Sequence, residues 1–324
     1  MTGTDGPAYR RLWASGVLAE RTREARLRLA DCDLCARYCR VDRLRGTTGA
    51  VCRTGERAVV ASWGAHHGEE APLSGWRGSG TIFFSWCNLR CLHCQNFEIS
   101  WQGEGRDVAA PELAAMMLSL QRQGCHNINL VSPSHVVAQI LEAVGIAAGE
   151  GLRLPLVYNT GGYDSLEALR LLDGVVDVYM PDLKHGDEGN ARACAKVRDY
   201  VAVNRLAVAE MHRQVGDLVL DGDGLARRGL LVRHLVLPDR RADTDAVMRF
   251  LATEISPDTY LNIMDQYRPC YRAAEIPGLD RRPTAAEMRE AFRLAADHGL
   301  RRLDARSPAG WPAGWRAGWP AGWP

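Results

Sequence analysis

Three cysteines, Cys87, Cys91 and Cys94, lie close together in the first third of the chain. Their spacing, Cys-x3-Cys-x2-Cys, places three thiolates on one short segment that directly follows an apolar run. Three thiolates can bind three irons of a four-iron cubane and leave the fourth iron without a protein ligand. An iron with an open position supports chemistry, whereas a fully ligated cluster suits electron transfer. The spacing therefore indicates a reactive iron-sulfur centre.

Zinc is the alternative metal for this group, because sites with three cysteines and one histidine are common. His93 or a distant cysteine would supply the fourth ligand. His93 is adjacent to Cys94 in the sequence, so its side chain would have to fold back beside that of its neighbour. The spacing favours iron-sulfur over zinc, and both metals stay open at this point.

Four further cysteines form a second group within 21 positions: Cys32, Cys35, Cys39 and Cys52. Four thiolates satisfy either tetrahedral zinc or a closed four-iron cluster, and the sequence does not separate the two. Reduced thiols without metal are a third interpretation. Because protein ligands fill all four positions, a structural metal site is favoured over a catalytic one. A second cluster could alternatively relay electrons.

The composition limits the kind of protein that can carry these groups. The chain has 324 residues, of which 46% are hydrophobic, and this suits one large globular domain with at most a small appendage. A net charge of +1 favours neither nucleic acid nor anionic lipid as a partner. We expect a cytoplasmic protein with no membrane partner, since no run of 18 apolar residues occurs. Clustered cysteines in that reducing compartment indicate metal rather than disulfides.

The elements that must position the cysteines follow an alternating pattern from residue 80 onward. Six short apolar runs predict strands at residues 81–86, 127–131, 154–158, 175–180, 230–237 and 260–264. Amphipathic segments between them predict helices at residues 111–123, 135–148, 165–172 and 243–255. Six βα units are fewer than the eight that close a TIM barrel. The predicted fold class is therefore α/β, a partial (β/α)6 barrel with its active site at the carboxyl ends of the strands.

The chain divides into three predicted parts. Residues 1–75 form an N-terminal helical and cysteine-rich metal-binding module, with a helix at residues 16–30. Residues 76–306 form the partial barrel and end with a helix at residues 281–299. Residues 307–324 repeat Pro-Ala-Gly-Trp, and a tail this rich in glycine and proline is expected to be disordered.

Residues 84–91, Phe-Ser-Trp-Cys-Asn-Leu-Arg-Cys, resemble the radical S-adenosylmethionine (SAM) superfamily, in its pyruvate formate-lyase activating enzyme branch. The resemblance extends from about Cys32 to Asp304 and includes family members with an extra N-terminal cysteine motif. It implies that SAM binds the open iron of a four-iron four-sulfur cluster. The reduced cluster then cleaves SAM to methionine and a 5'-deoxyadenosyl radical, which abstracts hydrogen from the substrate. The resemblance makes Cys87, Cys91 and Cys94 the catalytic cysteines.

The same resemblance implies SAM contacts at the ends of later strands. Asn159 lies in a segment similar to the family's Asp-Thr-Asn-Gly. Asp182 and Lys184 match its Asp-x-Lys segment, so that Lys184 would contact the SAM carboxylate and Asp182 would shape the site. Arg233 matches an Arg-x-x-x-x-Pro strand and would approach the SAM carboxylate or ribose.

Two strand ends depart from the family pattern. Ser132 and Ser134 stand where the activating enzymes carry Gly-Gly-Glu-Pro, so Ser132, Ser134 or a backbone carbonyl would have to serve the SAM amino group. Alternatively, Ser134 only caps the next helix. The sixth strand lacks the family's histidine near the adenine, and Gln266 is the expected substitute.

Composition gives independent reason to examine Lys184. Only two of the 40 lysine and arginine residues are lysines, Lys184 and Lys196. A compact ammonium at a predicted strand end suits a carboxylate ligand. A solvated loop lysine is the alternative.

The resemblance predicts a radical SAM enzyme of the glycyl-radical activating type. Its expected partners are SAM, a possible protein substrate, and an electron donor such as flavodoxin or ferredoxin. The alternative from another class is a non-catalytic zinc or iron-sulfur metalloprotein, acting as a binding module or an electron carrier.

Overall fold

The computed structural model describes residues 6–304, and a mixed nine-stranded sheet forms its centre. The strands are β1 (Ala58–His66), β2 (Ser79–Phe84), β3 (Arg106–Val108), β4 (Ile128–Val131), β5 (Leu156–Thr160), β6 (Val178–Pro181), β7 (Val219–Leu220), β8 (Ala226–Leu235) and β9 (Tyr260–Met264).

Six of these strands run parallel and are neighbours in chain order: β2, β4, β5, β6, β8 and β9. They correspond to the six strands predicted from sequence. The α/β prediction is confirmed, and the order of the parallel strands is that of a partial (β/α)6 barrel. In such a sheet the carboxyl ends of neighbouring strands lie at one edge, so the loops that follow them meet there.

Three strands were not predicted from the sequence. β1 pairs antiparallel with β2, β3 pairs antiparallel with β1, and β7 forms a hairpin with β8. β3 and β7 are too short to show a period, and the outer half of β1 is largely exposed. β1 falls within the segment assigned to the N-terminal module, so the central sheet begins before residue 76.

Helices surround the sheet and connect its strands. They are α1 (Tyr9–Ala14), α2 (Val17–Leu27), α3 (Ala71–Ser74), α4 (Phe97–Ser100), α5 (Ala110–Arg122), α6 (Val137–Gly149), α7 (Leu166–Leu172), α8 (Glu188–Ala195), α9 (Tyr200–Val215), α10 (Thr244–Phe250) and α11 (Ala285–Asp297). The five helices predicted in the barrel region are present, while α8 and α9 were missed. A π-helical turn, Leu251–Ile255, continues α10.

The two faces of the parallel sheet carry different cores. One face packs against α5, α6 and α7 and contributes residues such as Ile128 and Leu130 to the main core. The opposite face, here called the inner face, carries a smaller apolar cluster that includes Val157, Val178 and Leu231. Leu73 of α3 belongs to this second cluster, so α3 packs against the inner face.

The N-terminal segment is joined to the barrel through buried contacts. Tyr9, Leu18 and Leu29 belong to the main core. Arg43 is only 2% exposed, and its guanidinium donates hydrogen bonds to Thr54 O at 2.7 Å and His135 O at 2.8 Å. These bonds satisfy a buried charge and fasten the cysteine-rich segment to the residues that lead into α6.

The predicted disordered tail at residues 307–324 lies outside the described residues. Within residues 6–304, no helix combines the length and apolar character needed to span a membrane.

Candidate active site

The three cysteines of the Cys-x3-Cys-x2-Cys group lie in the loop between β2 and α4, and all three line one cavity. The Leu89 backbone N–H donates to Cys87 Sγ at 3.4 Å, and Cys94 Sγ lies 3.1 Å from Ser100 Oγ. A backbone donor aimed at sulfur favours the thiolate form. The loop therefore presents three sulfurs together at the carboxyl edge of the parallel sheet.

Hydrogen bonds from both sides hold this loop. Asn88 is buried and donates to Tyr163 O at 2.6 Å, which ties the loop to the segment after β5. The backbone N–H of Leu92 donates to Cys194 O at 2.8 Å, and this bond joins the loop to α8.

Glycine is required at Gly103, because its φ is +74° and a Cβ there would collide with the Trp86 ring.

Burial makes the thiolates costly in the absence of a cation. Burial raises the pKa of the Cys87 thiol, although the Leu89 N–H opposes the shift. Burial likewise raises the pKa of the Cys91 thiol well above its ordinary value, against the opposing charge of Lys184. A bound metal deprotonates a coordinating thiol outright. Cys87 and Cys91 are therefore buried thiols that a bound metal would keep deprotonated.

A buried ion-pair group lies in the same cavity. Asp182 binds Lys184 Nζ through Oδ2 at 2.5 Å and Arg233 Nε through Oδ1 at 2.9 Å. Arg233 also donates from a terminal nitrogen to Asn159 Oδ1 at 2.7 Å. These residues come from the ends of β5 and β6 and from β8. The structure therefore brings Asn159, Asp182, Lys184 and Arg233 together beside the cysteines.

The opposite charges of Asp182 and its two cationic partners stabilise the ionised form of each group. Burial alone would raise the pKa of Asp182, but Arg233 and Lys184 hold it below its usual value. Burial would lower the pKa of Lys184, but the Asp182 carboxylate raises it above its usual value. Two cations held side by side can also receive a ligand carboxylate.

Lys184 is positioned by its backbone and lies close to a glycine. Its backbone N–H donates to the Tyr200 hydroxyl at 3.0 Å, and that hydroxyl donates to Gly161 O at 3.0 Å. A Cβ at Gly161 would lie 2.9 Å from a Leu89 methyl and 3.6 Å from Lys184 Cε. A side chain at position 161 would therefore press on Leu89, while its contact with Lys184 would be an ordinary one. Lys184 is partly buried, unlike the solvated loop lysine of the alternative interpretation.

Ser132 lines the cavity with an unusual backbone. Its φ is +59°, in the left-handed region, and its N–H donates to Asn159 O at 2.9 Å. A serine pays a conformational cost there, and such strain concentrates at functional sites. Of the two serines predicted at this strand end, Ser132 is thus the one that lines the cavity.

Ser134 and Gln266, both expected near SAM, are not among the residues that line this cavity. Ser134 is buried with its Oγ 2.9 Å from Thr160 Oγ1, in a network that continues to Asp164. Ser134 thus forms a hydrogen bond with Thr160, which lines the cavity, without lining the cavity itself. α6 begins after Val136, so Ser134 is not its cap either. Gln266 is exposed, and its backbone oxygen accepts a hydrogen bond from the Gln95 side chain at 2.8 Å.

Several cavity residues were missed in the sequence. Thr160 and Gly161 directly follow Asn159 and could have been found as members of the same strand end. Others belong to the short helix α4, to apolar strand ends or to the cysteine loop, and sequence reasoning did not single them out. These are Phe84, Leu89, Asn96, Ile99, Ser100 and Val131.

His93, the fourth zinc ligand of the alternative interpretation, is not among the cavity residues. Its ring lies 6.2 Å from the His185 ring and 6.0 Å from the Tyr267 ring, measured between centroids. Burial, together with smaller effects of the His185 and Lys184 charges, lowers the pKa of His93 to about 3. His93 is therefore a neutral ring that packs against the His185 and Tyr267 rings, outside the cavity lining.

The N-terminal cysteines form a second neighbourhood. Cys32, Cys35 and Cys52 are buried and Cys39 is partly exposed. Burial raises the pKa of the Cys35 thiol, and the charges of Cys52, Cys32 and Cys39 add to the increase, so the four thiols lie near one another. Across residues 6–304, no three Cys, His, Asp or Glu side chains are arranged to hold a single metal ion. In a cubane each thiolate binds a different iron, so a cluster does not require that arrangement.

A larger cavity, of about 440 Å³, lies at the opposite edge of the sheet. Its lining includes Arg11, Arg153, Asp177 and Arg228 but no cysteine. Pro155 and Asp177, which precede β5 and β6, place it at the amino ends of the strands. Chemistry on this fold is expected at the carboxyl ends, so the cysteine cavity is the candidate active site.

Comparison with known families supports this choice. Residues 81–220 match the family model of the radical SAM superfamily. This stretch of the chain is therefore similar to a radical SAM domain. The matched range contains the three cysteines, Asp182 and Lys184, whereas Arg233 lies beyond it. Radical SAM domains imply a four-iron four-sulfur cluster and SAM, and three converging thiols beside two cations fit both.

Two curated relatives come from Methanocaldococcus jannaschii, and both are uncharacterized proteins. MJ0674 is 29% identical over 279 residues, which cover 83% of this chain and 75% of the relative. MJ0808 is 26% identical over 225 residues, which cover 66% of this chain and 59% of the relative. A solved structure of TYW1 with a lysine-pyruvate adduct bound shares 10% identity at a TM-score of 0.42, covering 67% of this chain and 73% of that one.

Proposed function

We propose that this protein is a radical SAM enzyme that reductively cleaves SAM at a four-iron four-sulfur cluster held by Cys87, Cys91 and Cys94. One observation carries the proposal: the three thiols and the Asp182 ion-pair group line a single cavity at the carboxyl edge of the radical SAM domain. Three protein ligands leave one iron free for SAM.

When bound, the reduced cluster supplies the electron that splits SAM into methionine and a 5'-deoxyadenosyl radical. The residues of this chain orient the substrate and exclude water. Lys184 and Arg233 bind the SAM carboxylate, because both cations face the cavity that holds the cysteines. Asp182 holds the two cations in place before SAM arrives, which lowers the cost of ordering them.

Ser132 and Asn159 complete the polar wall of the cavity. Ser132 offers its hydroxyl to the SAM amino group, in place of the family's glutamate. Asn159 is already engaged through Oδ1 by Arg233, so it fixes the guanidinium that binds SAM. Ser134 and Gln266 are not part of this assignment.

The radical abstracts hydrogen from a substrate, and we propose the activating-enzyme type as its subtype. Support comes from the resemblance of residues 84–91 and of the Asp182-Leu-Lys184 segment to that branch. A glycyl radical on a partner protein is the corresponding product, with flavodoxin or ferredoxin as electron donor. The four N-terminal cysteines are proposed to bind a second metal centre, zinc or a closed cluster, near the first.

The test is anaerobic reconstitution of the protein with iron and sulfide, followed by reduction with dithionite in the presence of SAM. We expect equal amounts of methionine and 5'-deoxyadenosine to form, and air exposure to stop the reaction. A protein that binds metal but forms no 5'-deoxyadenosine would instead be the non-catalytic metalloprotein, and the proposal would be wrong.

A further inference from the structure

Glu70 is a buried glutamate that the proposed function has not yet used. It is 4% exposed and directly precedes α3. Oε1 accepts a hydrogen bond from Asn262 Nδ2 at 2.8 Å. Oε2 is buried and has no hydrogen-bond partner in the described part of the chain. A buried carboxylate with an unpaired oxygen is costly, so its position calls for a reason.

Helix capping does not provide that reason. Glu70 is the cap residue of α3, but its side chain makes no capping hydrogen bond. Its backbone oxygen alone accepts from the first turn, for example from Leu73 N at 2.9 Å. Any residue could supply that carbonyl, so the carboxylate has another role.

The hydrogen bond to Asn262 brings Glu70 close to Arg233. Asn262 on β9 and Arg233 on β8 are register partners in a parallel pair. Paired residues of parallel strands point to the same face, so the two side chains are neighbours. Glu70 is therefore one residue removed from the guanidinium. Their charges interact: burial raises the pKa of Glu70 and Arg233 opposes the increase.

The charges around Arg233 explain what a carboxylate close to its guanidinium can do. Among the residues that line the cavity, Lys184 and Arg233 carry two positive charges and Asp182 carries one negative charge. Outside the lining, the charges of Glu70 and Glu69 also act on Arg233. Binding of the SAM carboxylate must compete with Asp182 for these cations. The Glu70 carboxylate is hydrogen-bonded to Asn262, the register partner of Arg233, and its charge can hold the arginine in place during that exchange.

We propose that Glu70 is a positioning residue for Arg233, keeping the guanidinium directed at the carboxylate of SAM. This inference rests on the proposed function, because it assumes that Arg233 binds SAM. Glu70 acts through Asn262 and Arg233 and does not touch SAM itself. Removing the Glu70 carboxylate should therefore weaken binding of the SAM carboxylate and leave the other SAM contacts unchanged.

The test compares two probes, SAM and decarboxylated SAM, which lacks the carboxylate. Dissociation constants are measured anaerobically on the reconstituted protein by isothermal titration calorimetry. We expect Glu70→Gln to weaken SAM binding about tenfold, as for coupled neighbours in one network, and to leave decarboxylated SAM within about twofold. Glu70→Asp, which keeps the charge, should recover part of the SAM affinity.

A double-mutant cycle with Arg233→Met separates this role from general destabilisation. If Glu70 acts through Arg233, Glu70→Gln should have no further effect on SAM binding in the Arg233→Met background. Equal loss of both probes, full affinity for both, or additive effects of the two substitutions would overturn the inference while leaving the proposed function intact. If the wild-type protein bound neither SAM nor decarboxylated SAM, both this inference and the proposed function would be wrong.

Discussion

The Cys91→Ala variant is expected to lose SAM cleavage by roughly a thousandfold or more and to lose the iron of one cluster. Cys91 is one of three thiols that line the cavity, and two remaining ligands cannot hold a four-iron cluster in a site that needs three. The measurements are iron and sulfide content, the visible absorbance of the reconstituted protein, and 5'-deoxyadenosine formed per hour.

Cys125→Ala is the matched control for this variant. Cys125 is also a buried cysteine, 3% exposed, but it precedes β4 at the opposite edge of the sheet. Its replacement should leave iron content and SAM cleavage near wild type. Loss of cleavage in Cys91→Ala with full retention of iron would contradict the assignment of Cys91 as a cluster ligand.

The N-terminal cysteines provide a contrasting substitution. Cys35→Ala should lower stability and the content of the second metal but leave some SAM cleavage, because Cys35 does not line the active-site cavity. Equal loss of cleavage in Cys35→Ala and Cys91→Ala would show that the N-terminal site relays electrons.

The second large effect is expected for Lys184→Met, which should weaken SAM binding by about 30- to 100-fold. The substitution removes one of the two cations that face the cavity while keeping a side chain of similar length. A charge-assisted hydrogen bond contributes about 2–3 kcal/mol, and this energy corresponds to that loss of affinity. Asp182 keeps its bond to Arg233, so the cavity should persist. Equilibrium binding of SAM to the reconstituted protein measures the effect.

Lys196→Met is the matched control, since Lys196 is the other lysine of the chain and is exposed at the end of α8. We expect SAM affinity within about twofold of wild type, as for surface substitutions generally. If both lysine variants bound SAM as the wild type does, Lys184 would not be a SAM contact.

Much of this site could be predicted because its residues are tied to strand ends. The apolar runs located the six parallel strands, and parallel strands bring their carboxyl ends to one edge. Residues just after those runs, such as Cys87, Asn159 and Asp182, therefore had to lie near one another. Asp182 and Lys184 were singled out by the resemblance of their segment to the radical SAM family, and Lys184 also by the rarity of lysine in this chain.

The positions of other residues depend on contacts between distant segments, which the sequence does not show. Ser134 follows a strand end as Ser132 does, but its hydroxyl turns to Thr160 and away from the cavity. Gln266 lies two residues beyond β9 on an exposed loop. Glu70 carries no local signal, because its proximity to Arg233 arises from a hydrogen bond to Asn262, 192 residues away. β1 was missed because its burial follows from pairing with β2.

The most direct test of the central claim is electron-nuclear double resonance of the reduced, reconstituted protein with isotopically substituted SAM. The account predicts hyperfine coupling between the cluster and both the 15N-labelled amino group and the 17O-labelled carboxylate of SAM, and a change in the cluster's electron paramagnetic resonance spectrum when SAM is added. An unchanged spectrum with no coupling to either label would show that SAM does not bind an open iron at Cys87, Cys91 and Cys94, and would contradict the proposed function.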